Sequence, residues 1–133
     1  MRYRPLGKSG ISASVVGLGT WAIGGWMWGG TQKDDAVKAI QAGLDAGINL
    51  VDTAPMYGFG VSEEIVGQAI KGRRDQVVLA TKCGLVWTAT GGDFFFNSGE
   101  ESIGVGDQTR KVHRFLSPAT IRWEVEESLR RLK

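Results

Sequence analysis

The fold is decided by two stretches of sequence, INLVDTAPMYG at residues 48–58 and VVLATKCG at residues 77–84. Each begins with a short, nearly continuous apolar run, which is typical of a β-strand covered on both faces. Such strands belong to parallel sheets that have helices packed around them. We therefore predict two neighbouring strands of a parallel α/β sheet, each followed by polar residues at its carboxyl end.

Three polar side chains stand at these strand ends, namely Asp52, Tyr57 and Lys82. In parallel α/β architectures, catalytic residues collect at the carboxyl ends of the strands. An ammonium beside a phenol favours the phenolate, so Lys82 next to Tyr57 would make the tyrosine a usable acid near neutral pH. Asp52 would pair with Lys82 and offset the cost of desolvating it. A plain Asp–Lys ion pair with a loop tyrosine nearby explains these residue types equally well.

Helical patterns separate the predicted strands, the first of which covers residues 15–19. The first helix has Thr31 as its N-cap, and the second runs from Ser62 to Gly72. The third has Ser117 as its N-cap and Pro118 in its first turn. Apolar residues at helical spacing predict the buried face of each helix. These residues are Ala36, Val37, Ile40 and Leu44, then Ile65, Val66, Ala69 and Ile70, then Ile121, Val125, Leu129 and Leu132.

Four motifs, in their order and spacing, resemble the aldo-keto reductase superfamily: GLGTW at 17–21, NLVDTAPMYG at 49–58, SEEIVG at 62–67 and ATK at 80–82. The resemblance runs from about Tyr3 to Lys133. It implies one incomplete domain over residues 1–133, the N-terminal portion of a (β/α)8 TIM barrel with about three βα units after a small β-hairpin. It also implies an oxidoreductase that reduces an aldehyde or ketone with NADPH, or less often NADH. Tyr57 would be the proton donor, tuned by Asp52 and Lys82.

The glycines at residues 17–22, GLGTWA, also match the G-x-G-x-x-A dinucleotide fingerprint. That fingerprint needs a helix whose N-terminus holds a pyrophosphate, and further glycines continue this segment as a loop instead. We therefore expect no helix here and reject a Rossmann fold. The family resemblance implies instead that Gly19, Thr20 and Trp21 approach the nicotinamide half of the cofactor, together with Asp52.

Aromatic residues in two segments are candidates for substrate binding. Residues 85–116 show no periodic order and are longer than an ordinary strand-to-helix connection. Phe94 and Phe95 favour substrate contact there, because adjacent aromatic rings are costly to expose, although a surface insertion is the alternative. We predict that His113, the only histidine, is a loop residue. Trp26 and Trp28, after the first strand, either line an apolar pocket or pack against the barrel rim.

Length predicts that the chain is a fragment. A (β/α)8 barrel typically needs ~250 residues, and this chain has 133. Family members carry a fourth catalytic residue, a histidine on the strand after the third helix, and no residue here takes that place. We therefore expect the isolated chain to be inactive and, because the strand at residues 77–81 would have an unpaired edge, to self-associate. The alternative is a non-catalytic, cofactor-responsive binding subunit or an assembly fragment.

Composition narrows the remaining classes of function. With 16 basic and 14 acidic residues, the net charge of +2 does not indicate nucleic-acid binding. Cys83 is the only cysteine, which excludes an internal disulfide and a cysteine metal cluster, and we expect a packed thiol. No signal peptide and no apolar run of the ~18 residues needed to span a membrane is present. We expect a cytoplasmic protein that acts on a small carbonyl compound, with no metal and no membrane partner.

Overall fold

A computed structural model describes residues 1–29, 32–88, 91–99 and 109–133. The chain begins with an antiparallel hairpin of β1 (Tyr3–Pro5) and β2 (Ser12–Ser14), as predicted. The backbone N–H of Ser14 donates to the Asn49 side chain at 2.7 Å, and the Ser14 hydroxyl accepts from the N–H of Asn49 at 3.0 Å. The hairpin is therefore fastened to the amino end of the central sheet.

The central sheet consists of three parallel strands in the order β3 (Gly17–Gly19), β4 (Leu50–Asp52) and β5 (Val78–Ala80). The register pairs Gly19 with Asp52 and Asp52 with Ala80, so all three strands end at one level. The parallel order confirms the prediction. The strands are shorter than their apolar runs, and residues 15–16 are exposed before β3 begins.

Three α-helices accompany this sheet: α1 (Lys33–Asp45), α2 (Val61–Ala69) and α3 (Pro118–Leu132). The first two bury their predicted faces, with Ile40 and Val66 fully inaccessible to solvent. They form one core with the sheet, whose buried members are Ala36, Ile40, Val51, Ile65, Val66, Ala69, Ile70, Val77 and Leu132. Within the described ranges, no helix is long and apolar enough to cross a membrane.

The predicted starts of the helices are only partly correct. The N-cap of α2 is Gly60, and Ser62 lies inside the helix with its hydroxyl turned to other elements. Helix α2 also ends at Ala69, before the predicted Gly72. Ser117 caps α3 as predicted, in a reciprocal capping box with Thr120. The predicted N-cap of α1, Thr31, lies outside the described residues.

The predicted buried face of α3 is wrong. Ile121, Val125 and Leu129 are 38%, 48% and 65% exposed, and only Leu132 of that stripe is buried. The helix instead buries Glu124, Ser128 and Arg131. The reason is that α3 packs against polar groups. Helix α2 presents the Glu63 carboxylate to it, and the segment after β5 presents the Gly84 N–H. Polar partners require polar side chains when they are buried.

Residues 85–116 contain a sheet, contrary to the prediction of an unordered segment. The strands β6 (Leu85–Val86), β7 (Asp93–Asn97) and β8 (Lys111–Arg114) pair antiparallel in the order β6, β8, β7. His113 lies on β8 opposite Val86 and Phe94, so the prediction of a loop histidine is wrong. An irregularity in the pairing between Phe94 and Phe96 breaks the two-residue period that would have revealed β7.

A single 3-10 turn, Ala22–Gly24, follows β3 where we expected no helix. Three residues are too few to present the aligned backbone N–H groups on which a dinucleotide fingerprint depends. The glycine motif therefore does not open onto a helix that could hold a pyrophosphate, although the expectation of no helical turn needed this correction.

Candidate active site

The three candidate catalytic residues meet at the carboxyl end of the parallel sheet. Asp52 is the last residue of β4, and Lys82 follows β5 by two residues. The Lys82 ammonium donates to both Asp52 carboxylate oxygens, at 3.0 Å to Oδ2 and closer to Oδ1, and to the Thr53 carbonyl at 2.8 Å. The same nitrogen lies 4.7 Å from the centroid of the Tyr57 ring. Tyr57 is thus a neighbour of the ion pair rather than a separate loop residue.

The Lys82 ammonium is a stable positive charge in this site. Burial by itself lowers the pKa of Lys82. Hydrogen bonds with Asp52 and Tyr57 and the charge of the carboxylate together raise it by more, so the pKa of Lys82 lies above its ordinary value of 10.5. The side chains of Lys82 and Asp52 are 48% and 42% exposed, so the pair remains open to a ligand. The phenol therefore lies beside a fixed cation across the neutral pH range.

Tyr57 is held in place by a close approach of two loops. A Cβ added to Gly24 would lie 2.4 Å from the Tyr57 carbonyl carbon, and one added to Gly58 would lie 2.0 Å from the Gly24 oxygen. Only glycine fits at either position. On its other side, the Tyr57 ring stacks on Trp21 with a centroid distance of 5.9 Å and an interplanar angle of 18°. The backbone and the ring of Tyr57 are therefore both located by neighbours.

A buried network of hydroxyl groups joins the loop after β3 to β4 and α2. The Thr20 hydroxyl donates to the Asp52 carbonyl at 2.9 Å, and the Ser62 hydroxyl lies 2.7 Å from that of Thr20 and 3.0 Å from that of Thr53. All three side chains are fully buried. The Thr20 hydroxyl, a predicted cofactor contact, is thus committed to the protein and fixes the backbone next to Asp52.

Sequence reasoning missed a group of buried charges behind Lys82. Glu63 is 0% exposed and accepts hydrogen bonds from the Thr81 hydroxyl at 2.7 Å and from Arg131 Nε at 2.6 Å. Glu124 is 3% exposed and accepts from the Gly84 N–H at 2.8 and 3.0 Å. Burial raises the pKa of Glu124, although the Gly84 N–H and Arg131 oppose this. The sequence signal that could have revealed this buried face of α3 is a row of polar residues at helical spacing, at positions 124, 128 and 131.

An open cavity of about 560 Å³ lies beside Tyr57 and Asp52. The predicted cofactor residues Gly19, Thr20 and Trp21 line it as well. A Cβ placed on Gly19 would meet no atom within 4 Å, so the backbone there faces open space. The Trp21 side chain is 41% exposed. The structure therefore brings the predicted cofactor residues and the candidate proton donor to one cavity.

The predicted tryptophans take two different positions. Trp28 is 58% exposed and meets Trp21, one of the residues that line this cavity, edge to face at 5.8 Å. Trp26 stacks on Phe96 at 5.5 Å and also contacts Phe59 at 5.5 Å. Trp26 therefore packs the β7 strand against the loop that carries Tyr57.

Phe94 and Phe95 face other partners. Phe94 meets His113 edge to face at 5.9 Å, and Phe95 lies under the Arg114 guanidinium at 3.7 Å. Among residues 91–99 it is Phe96, the third of the adjacent aromatic residues, that joins the aromatic cluster of Trp26 and Phe59. The role of Phe94 and Phe95 in substrate binding stays a prediction.

Cys83 is exposed, so the prediction of a packed thiol is wrong. Strand β5 ends at Ala80, and the cysteine lies beyond the part of the chain that the sheet buries. Across residues 1–29, 32–88, 91–99 and 109–133, no cluster of three or more His, Cys, Asp or Glu side chains could hold a metal ion.

Residues 15–133 match the model of the Aldo/keto reductase family. The chain belongs to the aldo/keto reductase family. This result confirms the resemblance carried by the four motifs. It also explains why three parallel strands with flanking helices share one site at their carboxyl ends, as barrel enzymes do.

Known members of the family are similar to this chain over most of its length. The NADH-specific methylglyoxal reductase of Escherichia coli is 48% identical, covering 99% of this chain and 38% of that protein. The glycerol dehydrogenase AKR11B4 of Gluconobacter oxydans is 46% identical, with a TM-score of 0.73 over 98% of this chain and 35% of that structure. An aldo-keto reductase of Klebsiella pneumoniae in complex with NADPH is 32% identical, with a TM-score of 0.60 over 91% and 32%.

These matches confirm the fold as the N-terminal portion of a (β/α)8 barrel. The chain spans only 35 to 38% of the length of the curated relatives that match nearly all of its residues. Oxidoreductase activity is supported for the family, and the activity of this chain is a matter for proposal. The substrate, the preferred cofactor and the roles of individual residues in this aldo/keto reductase are matters for proposal.

Proposed function

We propose that this aldo/keto reductase reduces an aldehyde or ketone by hydride transfer from NADPH, with Tyr57 as the proton donor. One observation carries the proposal, namely the contact of the Lys82 ammonium with both the Asp52 carboxylate and the Tyr57 ring. These groups stand at the ends of neighbouring parallel strands, where barrel enzymes place their chemistry.

The role of each side chain follows from its charge and position. A carbonyl oxygen that is being reduced needs a proton, and the Tyr57 hydroxyl is the acid that would give it. Lys82 would stabilise the negative charge that then develops on the phenol oxygen. Asp52 and the Thr53 carbonyl hold the ammonium at 3.0 and 2.8 Å, so it need not reorganise during the reaction.

The cavity beside Tyr57 suits the nicotinamide half of the cofactor. It is open, has about 560 Å³ of space, and is lined by the Gly19 backbone and the Trp21 ring. Gly19, Trp21 and Asp52 are the residues that would hold this half, and Thr20 would act by fixing the backbone between them, because its hydroxyl is bonded within the protein. When bound, NADPH supplies the hydride. Trp26, Trp28, Phe94 and Phe95 remain the proposed substrate-side residues, with Trp28 best placed through its contact with Trp21.

The hydride donor of the proposed reaction is either NADPH or NADH. A relative at 48% identity is named as NADH-specific, whereas a solved relative at 32% identity holds NADPH. We propose NADPH and keep NADH as the alternative. Comparing kcat/KM for the two cofactors with one aldehyde would decide between them.

The proposal is tested by Tyr57→Phe in the full-length protein. Turnover of a reactive aldehyde should fall about 10²- to 10⁴-fold, which is the usual contribution of general acid catalysis. The Kd for NADPH should stay near the wild-type value, because the phenyl ring can still stack on Trp21. Tyr3→Phe is the matched control, since the Tyr3 hydroxyl bonds only to the distant Gly47 carbonyl among described partners.

Wild-type turnover in Tyr57→Phe would end the assignment of the proton donor. If the wild-type protein binds NADPH but reduces no carbonyl compound, the alternative of a cofactor-responsive binding subunit is favoured. The cytoplasmic location, the inactivity of the isolated 133 residues and their self-association stay predictions.

A further inference from the structure

The residues on both sides of Lys82 are held by buried carboxylates. Thr81 precedes the lysine, and its hydroxyl donates to Glu63 at 2.7 Å. Gly84 follows two residues after it, and its N–H donates to both oxygens of Glu124. The two carboxylates belong to different helices, α2 and α3, so the short segment that carries Lys82 is fixed from two directions.

Neither carboxylate is a member of the ion pair at the site. The Lys82 ammonium bonds to Asp52 and to the Thr53 carbonyl, and it also interacts with Tyr57. Glu63 and Glu124 are almost fully buried, and burying a carboxylate is costly unless it is well bonded. Arg131 offsets the charge of Glu63, whereas Glu124 receives two contacts from one backbone N–H.

Gly84 gives a second sign that this segment is constrained. Its φ of 106° lies in a region that side chains avoid, and an added Cβ would meet the Leu116 side chain at 3.0 Å. The Gly84 carbonyl also accepts from the N–H of Phe115 at 3.1 Å. The Gly84 N–H is therefore bonded to Glu124, and the Gly84 carbonyl is bonded to Phe115, the residue that directly follows β8.

We propose that Glu63, through Thr81, and Glu124, through Gly84, are positioning residues that hold Lys82 against Asp52 and Tyr57. The inference rests on the proposed function, in which Lys82 acts beside the proton donor. A lysine side chain is long and flexible, and this one is about half exposed, so its backbone must be fixed if its ammonium is to stay in one place. Displacement of a catalytic group by about 1 Å can cost on the order of 100-fold in rate.

Thr81 offers the sharpest test, because Val has the shape of Thr without the hydroxyl, whereas Ser keeps the hydroxyl and lacks only the methyl group. Thr81→Val removes the donor to Glu63 while leaving the Glu63–Arg131 pair intact, and Thr81→Ser restores the donor. We expect kcat to fall about 10- to 100-fold in Thr81→Val, with the KM for NADPH unchanged, and to return to near wild type in Thr81→Ser.

Glu124 gives an independent pair of variants. Glu124→Gln keeps an oxygen that accepts from the Gly84 N–H, whereas Glu124→Met removes it. We expect near wild-type kcat in the first and a loss in the second. Glu127→Gln is the control on the same helix, because Glu127 pairs with Arg130 and Arg131 and touches no residue of the Lys82 segment in the described contacts.

A readout independent of turnover separates this inference from the proposed function. The rate at which an amine reagent labels Lys82, followed by mass spectrometry across pH, reports the pKa of that residue. Contacts with Asp52 and Tyr57 raise this pKa and burial lowers it, so a displaced ammonium should titrate at lower pH. We expect that shift in Thr81→Val and Glu124→Met, and none in Thr81→Ser or Glu127→Gln.

The results of these experiments distinguish a failure of the positioning role from a failure of the proposed function. Unchanged labelling and unchanged kcat in Thr81→Val and Glu124→Met would overturn the positioning role. A failure of Thr81→Ser to restore both readouts would overturn it as well, because the effect would then not come from the hydroxyl. If the wild-type protein reduces no carbonyl compound while the labelling shifts still appear, the proposed function fails and the positioning of Lys82 stands.

Discussion

Replacing Arg131 by Met should be one of the most destabilising single changes in this chain. The Arg131 Nε lies 2.6 Å from Glu63 Oε2, and the two side chains are 9% and 0% exposed. Met keeps an apolar stem beside Gly60, where the Arg131 Cδ lies, so the main loss is the charge. Removing one partner of a buried pair costs about 3–5 kcal/mol, because the remaining charge is left uncompensated.

Equilibrium unfolding in urea, followed by the fluorescence of the five tryptophans, measures this loss. The control is Arg130→Met on the same helix, whose side chain is 65% exposed and should leave the free energy of unfolding almost unchanged. The double variant Glu63→Met with Arg131→Met should recover much of the lost stability, since apolar replacements of a whole buried pair are often neutral. If Arg131→Met unfolds at the same urea concentration as Arg130→Met, the pair contributes nothing and the reasoning is refuted.

Two further predictions concern the site itself. Lys82→Met should cripple reduction and change the dependence of activity on pH, because the ammonium beside the phenol is gone. The raised pKa of Lys82 keeps that charge in place at neutral and mildly alkaline pH, so the wild-type profile should show no loss from lysine deprotonation there. Full activity with an unaltered profile would instead favour a plain ion pair, and Lys38→Met, at an exposed site, is the control. Gly24→Ala should lower kcat about 10- to 100-fold by pushing the Tyr57 backbone, since the new Cβ would lie 2.4 Å from the Tyr57 carbonyl carbon. Normal kinetics in that variant would show that the two loops can separate without moving the phenol.

The parallel sheet and the first two helices could be predicted because their signals are local. The apolar runs that become β4 and β5 need only to be covered on both faces, and the face of α2 at residues 65, 66, 69 and 70 is a simple helical stripe. Asp52 and Lys82 follow those runs directly, so their meeting at one edge of the sheet follows from parallel pairing. The same reasoning failed for α3, where helical spacing of apolar residues did not identify the buried face.

By itself, the sequence determined the family, the order of the three parallel strands and the three α-helices, and the identity of the residues at the strand ends, because each of these depends on a pattern within a few neighbouring positions. Only the tertiary structure decided that α3 buries Glu124 and Arg131, that Ser62 bonds to Thr20, and that Gly24 touches the Tyr57 backbone. Those contacts join residues between 33 and 68 positions apart in the chain. Burying a charged side chain is costly unless a partner satisfies it, and no local pattern says where a distant partner lies.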